Sequence, residues 1–229
     1  ATSGWMEANA SQVKYNGGDT VRMPKITTSG LATYSRDEGF NQGSVTLSYD
    51  DYKLTQDRGR TFHLDAMDID ESNFVASAGN VMGEFQRLQV IPEVDAYRYS
   101  RIAALAKTAK HETAGFTPTA ANILAKLDEE ITNIQDIVGE DVPLVISMST
   151  PIRNILNSAD KIERYMSVTD FKAGEINTKV RAYNDIPILG VPSARMKTAY
   201  VFADGKTSGQ EQGGFKADEA AKGINWICL

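Results

Sequence analysis

The stretch from Asp70 to Lys110 constrains this chain more than any other, because it carries a helical period for longer than a compact domain of 229 residues ordinarily needs. Ser72 is well placed as an N-cap, with Asp68, Asp70 and Glu71 just ahead of it, and Phe74, Ala78, Val81, Phe85 and Leu88 then recur at spacings of three and four. Pro92 lacks the backbone donor of a mid-helix position. The pattern therefore predicts a kink or break near Val90 before the helix resumes through Val94, Arg98, Ile102 and Leu105. A helix that only kinks would span about 55 Å, which suits a flat or elongated subunit. Two ordinary helices joined at Pro92 are the plainer alternative.

An apolar share of 41% supplies a real core, so the chain is expected to be globular, with one large or two modest domains. A net charge of -6 gives no basic footprint for nucleic acid or an anionic membrane. The single cysteine, Cys228, excludes an internal disulfide and a cysteine-built zinc site. No apolar run approaches the ~18 residues of a membrane span, so no membrane insertion is expected. The chain begins without methionine and stops inside the apolar run Ile224 to Leu229, so both ends read as cut.

Ahead of the long helix, Ala1 to Tyr15 mixes small and polar residues without a period and reads as an arm that needs a neighbour to become ordered. Thr20 to Ile26 reads as a strand, and Pro24 places it at a sheet edge. A polar, glycine-spaced tip follows over Thr27 to Gly43, then Ser44 to Tyr49 alternates with period two and Tyr52 to Thr55 extends it. The whole is a long hairpin, and a hairpin alone is marginal in water, so it must lean on something.

Gly115 and Pro118 interrupt the pattern and mark a candidate domain boundary. Thr119 then caps an amphipathic helix with Ala120, Leu124, Leu127, Ile131, Ile134 and Val138 on one face, and Asp128, Glu129, Glu130 and Asp136 turned to solvent. Val142 to Met148 is a continuous apolar strand, and Thr150-Pro151 opens a helix through Ile152, Ile155 and Leu156. Lys179 to Tyr183 and Ile186 to Leu189 pair across an Asn184-Asp185 turn, and Thr198 to Ala203 forms a further strand. Asp204 to Gly223 reads as a mobile surface loop, after which the last apolar run closes or extends the sheet. The fold class is α+β.

The common devices for phosphate, nucleophile and zinc chemistry are missing: there is no Walker loop, GxGxxG, GxSxG, HExxH or CxxC. His63 and His111 are far apart and read as structural. Asp65, Asp68, Asp70 and Glu71 offer the oxygens a divalent cation wants, without the glycine and spacing of a calcium loop. The same acids also complement the positive end of a helix. Arg58 and Arg60 on a glycine turn fit either an anion or an inter-subunit salt bridge. No catalytic residue, metal or cofactor is expected.

The run MPKITTSGLATYSRDEGFNQGSVTLSYDDYKLTQDRGRTFHLDAMDIDES, followed by GNVMGEFQ at Gly79 to Gln86, resembles the extended loop feeding the spine helix of the major capsid proteins of tailed bacteriophages and prophages, whose subunits share the Hong Kong ninety-seven fold. VPLVISMSTPIRNIL and IPILGVPSARMKT are similar to the axial domain of such coats. The resemblance implies an N-terminal arm over residues 1–17, an extended loop over 18–61, a peripheral domain with the spine over 62–114 and an axial domain over 115–229, with closing peripheral strands beyond the end of this sequence. It also implies a self-assembling coat of pentamers and hexamers, each loop lying across the adjacent subunit. The shell would enclose double-stranded DNA, contacted without sequence specificity, as a virion capsid made in the bacterial host cytoplasm. Arg22, Lys25, Arg36, Lys53, Arg58 and Arg60 become the candidate inter-subunit contacts, and Lys25 and Lys53 lie where some relatives cross-link a lysine to an asparagine. The alternatives are an encapsulin-like compartment shell, which would package protein cargo, a metal-dependent enzyme using the Asp65 to Glu71 cluster, and a binding module whose loop at Asp204 to Gly223 contacts a ligand.

Overall fold

A computed structural model describes residues 1–7, 15, 17–34, 36–37, 39–63, 78–159, 166–173 and 176–229. The chain is α+β and falls into two units: Ala8–His63, and Ala1–Glu7 together with Leu64–Leu229. The second unit does not divide at Gly115.

The smaller unit is a hairpin of β1 (Thr20–Thr28) and β2 (Val45–Lys53), paired antiparallel over their full length from Thr20↔Lys53 to Thr28↔Val45. Pro24 is tolerated because a two-stranded ribbon consists only of edges.

In the larger unit the long helix runs without interruption from Ala78 to Thr108, as α1 (Ala78–Phe85), a π-helical turn (Gln86–Val90) and α2 (Ile91–Thr108). The break expected at Pro92 is resolved inside the helix. A proline there removes the bond to the Leu88 carbonyl and crowds it with its ring, and the preceding turn widens so that the Ile91 N–H reaches the Gln86 carbonyl oxygen instead. The described helix is about 45 Å long. The cap expected at Ser72 and the helical start from Asp70 lie outside the described residues.

α3 (Ile123–Val138) buries Ile123, Leu127 and Ile131, with Leu124 and Ile134 at the margins of the stripe. Val138, expected on that face, is exposed. The N-cap position belongs to Asn122, not Thr119: the Thr119 N–H donates to Asn122 Oδ1 at 2.7 Å, and Asn122 Nδ2 donates to the Thr117 carbonyl at 3.1 Å. The acidic run on α3 is not simply solvated. Tyr183 Oη donates to Asp128 Oδ1 at 2.6 Å and Trp226 Nε1 donates to Glu130 Oε2 at 2.7 Å, so two of these carboxylates tie the helix to the sheet.

The main sheet contains β3 (Ile146–Ser149), β4 (Met166–Ala173), β5 (Ile176–Tyr183), β6 (Ile186–Val191) and β9 (Trp226–Cys228), in the order β4-β5-β6-β3-β9. Only β3 and β6 run parallel; α4 (Thr150–Asn157) and the β4-β5 hairpin lie on the path between them. Side chains alternate across the sheet. Ile146, Met148, Ile186, Ile188, Trp226 and Cys228 face α3 and α4 in the main core, while Val191 and Ile227 face a smaller core with Tyr99 of α2. Both faces of β3 are thus covered, Ile146 and Met148 lying in the main core and the buried Ser147 on the side of Tyr99, whose hydroxyl is 3.4 Å from Ser147 Oγ. The strand begins at Ile146, later than expected, because Val142 is exposed and precedes it in a turn. At Gly190 on β6 a Cβ would meet the Arg153 guanidinium from α4, so a larger residue there would need the end of that side chain to move aside.

The Asn184-Asp185 turn has φ of 48° and 64°, a two-residue hairpin turn with both central residues left-handed. Glycine fits the second of these positions better than aspartate. Asp185→Gly is expected to raise the unfolding free energy by about 0.5–1 kcal/mol, read as a higher urea midpoint. A lowered midpoint would contradict the turn.

The segment expected to be a mobile loop instead supplies β8 (Phe215–Ala217), which pairs with β7 (Tyr200–Phe202) in a second small sheet. Phe215 packs on Tyr200 and Phe202, and Phe202 meets Tyr97 of α2 edge-on at 5.8 Å. Asp204 closes the connecting turn by accepting from the backbone N–H of Lys206 and Thr207 at 2.8 Å and from Thr207 Oγ1 at 2.6 Å, which holds its carboxyl down at about 2. Among the described residues no helix is long and apolar enough to cross a membrane.

Candidate assembly surface

The hairpin register decides which side chains share a face, since residues directly opposite project to the same side. One face presents Pro24 with Tyr49, Ile26 with Leu47 and Thr28 with Val45 toward the tip, and Arg22 with Asp51 and Thr20 with Lys53 toward the base. The other face presents Val21 with Tyr52, Met23 with Asp50, Lys25 with Ser48 and Thr27 with Thr46. The tipward apolar stripe lies in water: Ile26 is 66% exposed, Leu47 55%, Tyr49 60% and Val45 72%. A two-stranded ribbon has no second layer to cover such a face, so the stripe is stabilised only by what it meets outside the hairpin.

The end of the ribbon is fastened by Ser29 and Ser44. The Ser29 N–H donates to the Ser44 carbonyl at 3.0 Å, and the Ser44 N–H donates to Ser29 Oγ at 2.7 Å. The tip beyond them is less polar than its glycines and serines predict. Tyr34 and Phe40 pack ring to ring at 4.9 Å, and Leu31 and Phe40 stand almost wholly in solvent. These three residues carry no period, so only their exposure in the folded arm marks them as part of the surface.

The six basic residues singled out from the sequence do not form one site. Arg22 Nε lies 3.0 Å from Asp51 and Lys53 Nζ 3.6 Å from Asp19, so these two cations are paired within the hairpin. Both pairs are exposed and worth little on their own. Lys25 projects from the opposite face, Arg36 sits exposed in the tip, and Arg58 and Arg60 lie exposed in the extended segment after β2. Among the described residues, Lys25 and Arg36 make no ion pair.

Other groups with chemical potential are dispersed along the chain. Among the described residues no three of His, Cys, Asp and Glu gather as a metal site, and the Asp65 to Glu71 cluster lies outside those residues. His63 and His111 are both exposed in irregular chain. Burial and the nearby Glu130 push the Cys228 thiol up to about 11, which leaves it a packing group and a poor nucleophile. A shallow cavity of about 420 Å³ opens beside the start of α4, lined by Ser149, Ser193, Lys197 and Asn225 among others, with Lys197 its one ionisable group. Against known proteins, the chain matches no family model, no curated protein and no solved structure.

Proposed function

We propose that this chain is a structural, self-assembling coat protein, the major capsid protein of a tailed bacteriophage or prophage. The observation that supports the reading most is the exposed apolar stripe of the hairpin, Pro24, Ile26, Leu47, Tyr49 and Val45, on an arm with no core of its own. The long helix and the sequence resemblance of the loop, the spine and the later strands point the same way. In this reading each arm lies on an adjacent copy, copies close into pentamers and hexamers, and the icosahedral shell encloses double-stranded DNA held without sequence specificity. The protein is made in the bacterial host cytoplasm and ends in the virion. It performs no catalysis. Of the arm's cations, Lys25 and Arg36 are free to pair with a neighbour, whereas Arg22 and Lys53 would first have to leave Asp51 and Asp19.

Sedimentation velocity of the protein expressed from its whole gene, over a range of salt and protein concentration, tests this reading. Species far heavier than the 25.0 kDa chain are expected, growing with concentration. A single species at the monomer mass under every condition would overturn it. Nuclease-resistant DNA inside the particles would separate a viral coat from a shell that packages protein.

A further inference from the structure

We propose that Ala1–Glu7 is a releasable strap, fastened to the long helix by the buried carboxylate of Asp95 and able to leave its seat while the rest of the larger unit stays folded. This goes beyond the assembly reading and does not depend on it. The sequence predicts a segment that is ordered only by a neighbour, yet these seven residues dock on their own chain.

The docking is concentrated on one side chain. Asp95 is completely buried, and Ser3 gives Oδ1 both its backbone N–H at 2.9 Å and its hydroxyl at 2.6 Å. Thr2 gives Oδ2 its N–H at 3.1 Å and its hydroxyl at 3.0 Å, and Arg195 Nη1 reaches the same oxygen at 3.2 Å. Four of these five donations come from the strap, so the carboxylate is saturated only while the strap is seated. Its other charged and titratable neighbours are Arg98 and Tyr99 on α2 and Glu7 on the strap. Arg98 pairs with Glu7 and donates to the Ser3 carbonyl at 3.2 Å, while Tyr99 Oη lies 3.2 Å from the Thr2 carbonyl oxygen.

The apolar part of the seat takes Met6 and the part-buried Trp5. Met6 packs on Tyr99, Val191 and Met196 beside Ile224 and Ile227, and the main core of α3, α4 and the sheet contains no residue of the strap. Release would therefore cost the contacts at Asp95, those of Arg98 and Tyr99 with Glu7, Ser3 and Thr2, and the packing of Met6 and the part-buried Trp5, and would uncover the seat. Burial by itself would raise the Asp95 carboxyl, but the donors from Ser3 and Thr2 outweigh it and hold the carboxyl below its ordinary range. The clasp is thus complete above the unfolded carboxylate value of about 3.9 and is lost as pH falls through the lower folded value.

The chain has two tryptophans, Trp5 in the strap and Trp226 on β9. Fluorine NMR of the 5-fluorotryptophan-labelled chain therefore reports strap and body separately. At neutral pH, Asp95→Asn removes the charge that the donors are arranged around. It is expected to raise the released population on the order of ten-fold or more, moving the Trp5 resonance toward its unfolded position while Trp226 keeps its folded shift. Thr2→Val with Ser3→Ala, which spares Asp95, should move Trp5 the same way and serves if the first variant does not fold. An unmoved Trp5 resonance in a folded variant, or loss of both folded shifts together, would overturn the proposal.

Discussion

Leu127→Ala is expected to lower the unfolding free energy by about 2–5 kcal/mol, a large share of the 5–15 kcal/mol typical of a domain. Leu127 is fully buried in the middle of the α3 stripe, where it packs into the core shared with Ile146, Met148, Ile188 and Leu156. Truncation removes its transfer energy and leaves a cavity that the close-packed core around it cannot easily collapse. Ile137, on the same helix and 79% exposed, is the control: Ile137→Ala should stay within about 0.5 kcal/mol. Urea denaturation compares the two, with midpoints shifting and slopes unchanged. Equal costs at both positions would mean that α3 does not cover the sheet in the orientation described.

The second large effect concerns association and leaves folding intact. A combined Ile26→Thr, Leu47→Thr and Tyr49→Thr variant keeps strand-forming side chains while removing the apolar stripe. These side chains are in water in the single chain, so circular dichroism and the thermal midpoint should be those of the unaltered protein. Covering each of them by a neighbour is worth about 1.5–3 kcal/mol, and the contact repeats at every subunit, so light scattering should show assembly abolished. Unimpaired assembly would remove the stripe from the account. Loss of the fold would show that the stripe packs within its own chain.

What the sequence revealed about this fold follows the range of the interactions involved. The α3 stripe, the buried β3 run and the Asn184-Asp185 turn are each encoded by neighbours in the chain, through a period or a backbone requirement, and they are found close to where the pattern puts them. The clasp between Ser3 and Asp95 joins residues 92 positions apart, and a lone aspartate in a helix gives no local sign of a partner at that distance. The same is true of Glu130 and Trp226, 96 positions apart, which is why an acidic run that looks solvated turns out to hold a helix to a sheet. β8 has three residues, too few to establish an alternation, so a glycine-rich stretch conceals it. At the candidate surface the alternation of β2 was visible, but which residues share its face depends on the register with β1. That register places Arg22 opposite Asp51 and so pairs within the arm a cation that the bare sequence offers to a neighbour.

In the proposed function the arm's apolar stripe is an assembly element. Electron microscopy of the protein expressed from its whole gene, carried to a reconstruction that resolves side chains, tests it most directly. Closed shells or ring-shaped capsomers are expected, with Pro24, Ile26, Leu47 and Tyr49 buried against an adjacent copy. Dispersed single subunits, or particles in which that stripe still faces water, would contradict it.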